Sequence, residues 1–277
     1  NAWHLAPLLR RLGVGHVHVH FANRATHTAL FLKKLGFSFS FTAHAQDFMV
    51  DLGSDDLLRE MAREAEFVIC VSDYSRDLMA GICAGSAAKI KRIYNGIELD
   101  DFPAAQPGRG GTLRIVSVGR LIEFKGIPVL LDAIAELNRR GVPVEARIIG
   151  EGPARGELEQ LISANGLLNV SLLGVRSQRQ IQRELAEANL FVLPSIVDCK
   201  GACDILPTVI AEAMACRLPV VSTKVSGIPE MVSQGETGLL VEPGDAHALA
   251  DAIMELSADP ERRRAMGVAG RARAEKL

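Results

Sequence analysis

Short apolar runs alternate with stretches of helical period along almost the whole of this 277-residue chain, and few architectures tolerate that order. Repeated strand–helix–strand succession calls for parallel sheets covered by the helices that connect their strands. In the first part, strands are expected at 16–21, 37–42, 67–71 and 89–94, with helices at 26–35 and 55–64 and Ser72 capping another. Residues 101–111 then break the pattern. Pro103, Pro107, Gly108, Gly110 and Gly111 crowd a stretch with little apolar content, which reads as a linker. A fresh unit follows, with strands expected at 113–118, 144–149, 170–173, 190–193 and 238–241 and helices at 126–140, 154–165, 178–188, 228–233 and 246–256. A charged helical tail occupies 261–276. The domain reading is therefore 1–100, a linker at 101–111, and 112–277. Both domains are Rossmann-like. The C-terminal one reads as complete, whereas the N-terminal one has three or four strands where an intact doubly wound domain has about six. The expectation is that the chain is truncated at its N-terminus.

Charge removes one class of function. A net charge of −2 argues against a nucleic-acid binder, which carries a basic excess. No apolar run approaches the roughly 18 residues that a membrane-spanning helix needs, and Asn1 opens without a Met or a basic leader. The five cysteines, Cys70, Cys83, Cys199, Cys203 and Cys216, are an odd number in a chain large enough to need no staples. Reduced thiols in the cytoplasm are the expectation. No metal is expected. Cys199 and Cys203 lack a second Cys or His pair, and His16, His18 and His20, which share one strand face, lack an acidic partner.

The stretch 204–223 carries the chemistry. It reads as a loop, a short helix and a buried strand, with Pro207 expected at the first helical position. A helix start offers unpaired N–H groups and partial positive charge, a seat for an anion. Asp204 stands just before that start and Glu212 lies inside the helix. Carboxylates repel a phosphate, but they accept strong hydrogen bonds from hydroxyls. An anion seat bordered by two acids therefore suits a sugar joined to a phosphate. After the first strand of the C-terminal unit comes Val118-Gly119-Arg120-Leu121-Ile122-Glu123-Phe124-Lys125-Gly126. Ligands of open α/β sheets bind at the carboxyl ends of strands, and a fork-shaped cation with a point-charge cation suits a diphosphate.

These residues resemble the acid-x7-acid motif and the Gly-Arg-Leu loop of the retaining, family-4 glycosyltransferases of the GT-B fold, in the branch that works on bacterial polysaccharides. Asp204 stands where the family usually has Glu, Arg217 where it has Gly, and Ser226 where it has the first of two glycines. The resemblance implies two Rossmann-like domains facing across a cleft, with no metal and no cofactor beyond the nucleotide-sugar donor. Arg120 and Lys125 would neutralise the donor diphosphate, together with the helix start at Pro207 and Thr208. Glu212 would hold the ribose, and Asp204 with the amides of Ile205 and Leu206 would hold the sugar. Gly119 and Gly150, the latter in a Gly-x-Gly-Pro turn, would line the donor side, and Gly174 and Val175 would flank the base. In the N-terminal part, Thr-Ala-His-Ala-Gln-Asp matches the family's histidine turn, so His44 would face the sugar, with His20 nearby. Asn95 belongs to an Asn-Gly-Ile-Glu turn that either shapes the chain or touches the ligand. The acceptor would be a saccharide or a lipid-linked saccharide, which brings the expectation of a peripheral contact with the inner membrane face. Rival readings are a nucleotide-sugar epimerase of the same architecture, a catalytically silent nucleotide-sugar-binding module, and an NADP oxidoreductase using Arg176 and Arg179.

Overall fold

The structure is a computed structural model and describes residues 1–44, 46–49, 55–106 and 111–277. Pro107, Gly108 and Gly110 of the expected linker lie outside the described residues. The chain divides into two compact units, Asn1–Asn95 with Cys199–Leu206, and Gly96–Asp198 with Pro207–Leu277.

The first unit contains α1 (Ala2–Arg11), β1 (His16–His20), α2 (Arg24–Lys34), β2 (Ser38–Ala43), α3 (Gln46–Met49), α4 (Asp56–Glu64), β3 (Val68–Cys70), α5 (Asp73–Ile82) and β4 (Ile90–Arg92). Its strands form a parallel sheet in the order β1-β2-β3-β4. Successive right-handed crossovers in that order place α2, α4 and α5 on one face. Ala2, Ala6, Leu32 and Phe37 form a small apolar cluster with partly buried Val17. Ser72 caps α5 as its sequence position suggests, in a reciprocal pair with Ser75. His16, His18 and His20 do share a face, but that face is exposed. The helices that follow β1, β2 and β3 lie on the opposite face of the sheet.

The second unit contains β5 (Leu113–Val118), α6 (Ile127–Arg139), β6 (Val144–Ile149), α7 (Arg155–Ala164), β7 (Val170–Gly174), α8 (Gln178–Glu187), β8 (Leu190–Leu193), α9 (Thr208–Ala215), β9 (Val220–Thr223), α10 (Ile228–Met231), β10 (Gly238–Val241), α11 (Ala246–Ala258) and α12 (Pro260–Ala274). Its six parallel strands run in the order β10-β9-β8-β5-β6-β7. That is the doubly wound order, and its direction reverses between β5 and β8. The core lies between this sheet and α6 and α11, with Ile115, Leu130, Ile134, Leu137, Ile253 and Leu256 fully buried. Full burial of side chains of this size stabilises by roughly 1.5–3 kcal/mol each.

Part of the stretch 101–111 is bound rather than loose. The Ala105 N–H donates to the Cys216 carbonyl at 2.7 Å, and the Gln106 N–H to the Ala186 carbonyl at 2.8 Å. Arg271 of α12 donates to the carbonyls of Leu99 at 2.8 Å and Ala215 at 3.2 Å. The low apolar content is offset by backbone hydrogen bonds to this unit, a pairing that composition does not reveal. No described helix is long and apolar enough to cross a membrane. Among the described residues none of the five cysteines is in a disulfide; four are buried and Cys199 is exposed.

Candidate functional site

The reversal point of the second sheet organises the first candidate region. After β5, Leu121 and Phe124 are buried and anchor the loop, while Arg120 is exposed and Lys125 half-buried. The apolar pair pins the turn from inside. The turn is then locked to the loop after β8, where the Ile196 N–H donates to the Phe124 carbonyl at 2.9 Å. Gly126 has φ +66°, and a Cβ there would stand 1.8 Å from the Pro194 carbonyl oxygen. Only glycine permits both the left-handed backbone and that approach.

The same crowding continues along the sheet edge. The Gly119 N–H donates to the Ile149 carbonyl at 3.0 Å, the Gly150 N–H to the Gly174 carbonyl at 3.0 Å, and the Leu121 N–H to the Glu151 carbonyl at 2.9 Å. A Cβ on Gly150 would meet the Gly119 carbonyl oxygen at 1.8 Å, and one on Gly152 the Leu121 carbonyl oxygen at 2.3 Å. The Lys125 stem lies over Gly119, 3.3 Å from where a Cβ would sit. The loops after β5 and β6 and the last residue of β7 therefore interlock through glycine. Val175 follows Gly174 and is exposed.

The start of α9 lies at the same edge, because a helix connecting two parallel strands runs back against them. Pro207 is the N-cap residue, with φ −69° and ψ 110°, and Thr208 is the first helical residue. The expected place of Pro207 is thus one position off, since its ψ is extended rather than helical. Glu212, on the second turn of α9, is partly buried, and desolvation holds its carboxyl above the ordinary carboxylate range. Its neighbour one turn on, Cys216, has a thiol pushed up to about 12, first by burial and then by the Glu212 carboxylate. At the C-terminal end of α9, Arg217 has φ +59°. The Leu218 N–H donates to the Ala213 carbonyl at 3.0 Å and the Arg217 N–H to the Met214 carbonyl at 3.0 Å, a left-handed helix stop that favours glycine. Ser226, also at a glycine position of the resembled motif, has φ +48°.

The other candidate region belongs to the first unit, at the carboxyl ends of β1 and β2. His20 Nδ1 and His44 Nε2 are 2.9 Å apart. The Asp47 carboxylate accepts from the His44 N–H at 3.0 Å and from the Ala22 N–H at 2.5 Å, which ties the ends of the two strands together. Phe21 lies between them with φ +73°, its ring 4.6 Å from that of His44. A left-handed backbone at a bulky residue is strained. The Phe21 N–H donating to the Thr42 carbonyl at 2.8 Å and the Thr26 hydroxyl donating to the Phe21 carbonyl at 2.6 Å hold it there. The His44 imidazole lies below its usual pKa, first through burial, with Asp47 opposing and His20 adding to the depression. Further down the strand, His16 bridges Ser38 and Ser40, and His18 bridges Ser40 and Thr42, at 2.7–2.9 Å. These rings are engaged by hydroxyls. Among the described residues, no three His, Cys, Asp or Glu side chains are grouped to hold a metal ion.

Arg120, Lys125, Gly119, Gly150, Gly174, Val175, Pro207, Thr208 and Glu212 thus belong to the second unit. His20, His44 and Asn95 belong to the first, as does the segment carrying buried Asp204, Ile205 and Leu206. Phe21 and the hydroxyl ladder of β2 were not anticipated. No local signal marks a left-handed Phe, and the ladder depends on the register His16↔Ser38 between two strands.

The family described as Glycosyl transferases group 1 matches residues 100–273, and that described as Glycosyltransferase Family 4 matches residues 1–101. The amylovoran biosynthesis glycosyltransferase AmsK of Erwinia amylovora is 40% identical over 173 residues, 62% of this chain and 42% of that protein. A GDP-mannose-dependent alpha-(1-6)-phosphatidylinositol monomannoside mannosyltransferase of Mycolicibacterium smegmatis is 34% identical over 230 residues, 77% of this chain and 59% of that protein. The chain spans about half the length of the curated relatives it matches. Among solved structures, Anabaena Alr3699/HepE in complex with UDP superposes with a TM-score of 0.85 at 23% identity, covering 99% of this chain and 77% of that one. With its two parallel α/β sheets the chain has the GT-B fold, and it belongs to the glycosyl transferases group 1 family.

Proposed function

We propose that the protein is a retaining, metal-independent glycosyltransferase that moves a sugar from a nucleotide-diphosphate donor to a saccharide or lipid-linked acceptor in polysaccharide biosynthesis. The observation that carries the reading is the sheet edge of the second unit. The Arg120–Lys125 loop is locked to the segment after β8 at the point where strand order reverses, the place where open α/β sheets take nucleotides. Donors of this class agree with the solved complexes of HepE with UDP and with UDP-glucose and with the GDP-mannose dependence of the mycobacterial relative.

In this reading the diphosphate is the leaving group, and its growing charge is met by Arg120, Lys125 and the amides that open α9, without a metal ion. Gly119 and Gly150 let the backbone approach the donor, and Gly174 and Val175 flank the base. Glu212 accepts from the ribose hydroxyls as a carboxylate. Asp204, with Ile205 and Leu206, and His44 are the proposed contacts of the transferred sugar, with His20 and Asn95 in supporting positions. Asp204 is one methylene shorter than Glu, so Asp204→Glu is expected to change which donor sugar is preferred.

The test is incubation with UDP-, GDP- and ADP-sugars and saccharide acceptors, with and without EDTA, and proton NMR of the product anomer. Transfer with the donor's anomeric configuration kept and no effect of EDTA is expected. Conversion of donor without acceptor would replace this reading with an epimerase, and an inverted anomer or loss of activity in EDTA would overturn its finer parts.

A further inference from the structure

The histidines of the first unit are related by a contact that restricts their protons. Imidazole nitrogens 2.9 Å apart can share only one hydrogen between them. If both nitrogens carried N–H, two donors would face each other and the bond would break. While the contact persists, His20 and His44 together carry at most three ring protons, and hence at most one positive charge.

We propose that His20 and His44 form one proton-sharing unit, in which His20 is a positioning residue that sets the tautomer His44 presents to a ligand. Two neutral arrangements exist. When His20 Nδ1–H donates to His44 Nε2, His44 presents Nδ1–H, a donor. When His44 Nε2–H donates to His20 Nδ1, His44 presents a bare Nδ1, an acceptor, and His20 carries its proton on Nε2. The two interconvert with proton balance. A proton taken up at His44 Nδ1 moves the shared proton from His44 Nε2 to His20 Nδ1, and one proton leaves His20 Nε2. His20 is exposed and His44 half-buried, so the unit connects a shielded nitrogen to solvent.

The surroundings fit this assignment. Asp47 of α3 anchors the His44 backbone and favours positive charge on its ring, while His20 disfavours it, and His18 of β1 stands edge-on to His20 at 5.3 Å. From the segment between β1 and α2, Phe21 packs on His44 and carries no charge. From β3, Cys70 interacts electrostatically with Asp47, and β2 places the Thr42 hydroxyl on His18. The strained Phe21 backbone is a further sign that this geometry is imposed by the fold.

The use of the pair rests on the proposed reading of His44 as a sugar contact, but its existence does not. The experiment is NMR of the chain with 15N-labelled histidine rings, measured from pH 8 to pH 5 in the wild type and in His20→Phe. A scalar coupling across the hydrogen bond between His20 Nδ1 and His44 Nε2 is expected, with the His44 titration midpoint moving upward in His20→Phe. Absence of the coupling with both tautomers resolved, or an unchanged His44 midpoint in the variant, would overturn the proposal. The coupling needs no substitution, so a variant that does not fold leaves the proposal falsifiable. A coupled pair whose His44 signals ignore every nucleotide-sugar would leave the unit standing and remove its assigned use.

Discussion

The two candidate regions both lie at the carboxyl edge of a parallel sheet, yet they are built in opposite ways. In the second unit the edge is made of backbone. Gly126, Gly150 and Gly152 bring main-chain atoms so close that a single added carbon would collide, with Arg120 exposed and Lys125 half-buried beside them. In the first unit the edge is made of side chains. His20, His44, Asp47 and Phe21 hold one another by a ring–ring hydrogen bond, carboxylate acceptors and a tilted ring contact. A backbone edge tolerates no change of residue type at its glycines and changes little with pH. A side-chain edge tolerates substitution sterically and is governed by protonation.

The most severe challenge to this contrast is at the glycines. Gly150→Ala is expected to destabilise by about 4 kcal/mol or more, because φ +142° and a contact at 1.8 Å combine strain with collision. Gly15→Ala in the first unit, where a Cβ meets nothing within 4 Å, should stay within about 0.5 kcal/mol. Denaturant unfolding of both variants checks this pair. Next in size is Lys125→Ala, which removes charge without disturbing the backbone. It is expected to cost about 2–4 kcal/mol of transition-state stabilisation, read as kcat/KM in the transfer assay. An unimpaired rate in that variant would show that the cation is ornamental.

Smaller effects refine the picture further. Arg217→Gly should stabilise by about 1 kcal/mol, since φ +59° is disfavoured for any side chain, and calorimetric unfolding would detect it. The first unit should also respond to acid in a way the glycine edge does not. His18 and His44 both lie below the usual imidazole value of 6.5 when folded. Between the folded and unfolded values the unfolded chain binds more protons, so stability rises with pH across that window. Stability from these groups is therefore complete above pH 6.5 and falls as the pH drops through 6.5 toward the lower folded values. Thermal unfolding of wild type against His18→Asn with His44→Asn from pH 8 to pH 5 should show a shallower decline in the variant.

The contrast also explains what the sequence made legible. Strand positions such as 113–118, 144–149 and 190–193 coincide with β5, β6 and β8 because an apolar run bounded by turn residues is a local signal. The glycine edge is equally local, since crowded backbone leaves glycine in the sequence wherever it occurs, as at Gly150 and Gly152. Arg217 and Ser226 stood out as departures from the family pattern, and the structure supplies the physical meaning, a left-handed backbone at both. The histidine edge was legible only in part. Period-two spacing put His16, His18 and His20 on one face, but their partners Ser38, Ser40 and Thr42 are fixed by strand register. The His20–His44 contact is set by tertiary placement across 24 positions. Pro207 was misplaced by one position because its φ suits both an N-cap and a first helical turn, and only ψ separates them.

The proposed function stands or falls with whether the β5 loop and the start of α9 hold a nucleotide diphosphate joined to a sugar. The deciding experiment is the shift in unfolding temperature produced by UDP-, GDP- and ADP-sugars on the wild type and on Lys125→Ala. At least one of these donors should raise the midpoint of the wild type, and that rise should shrink or vanish in Lys125→Ala. A wild type that responds to none of them, or a variant that responds as strongly as the wild type, would contradict the assignment.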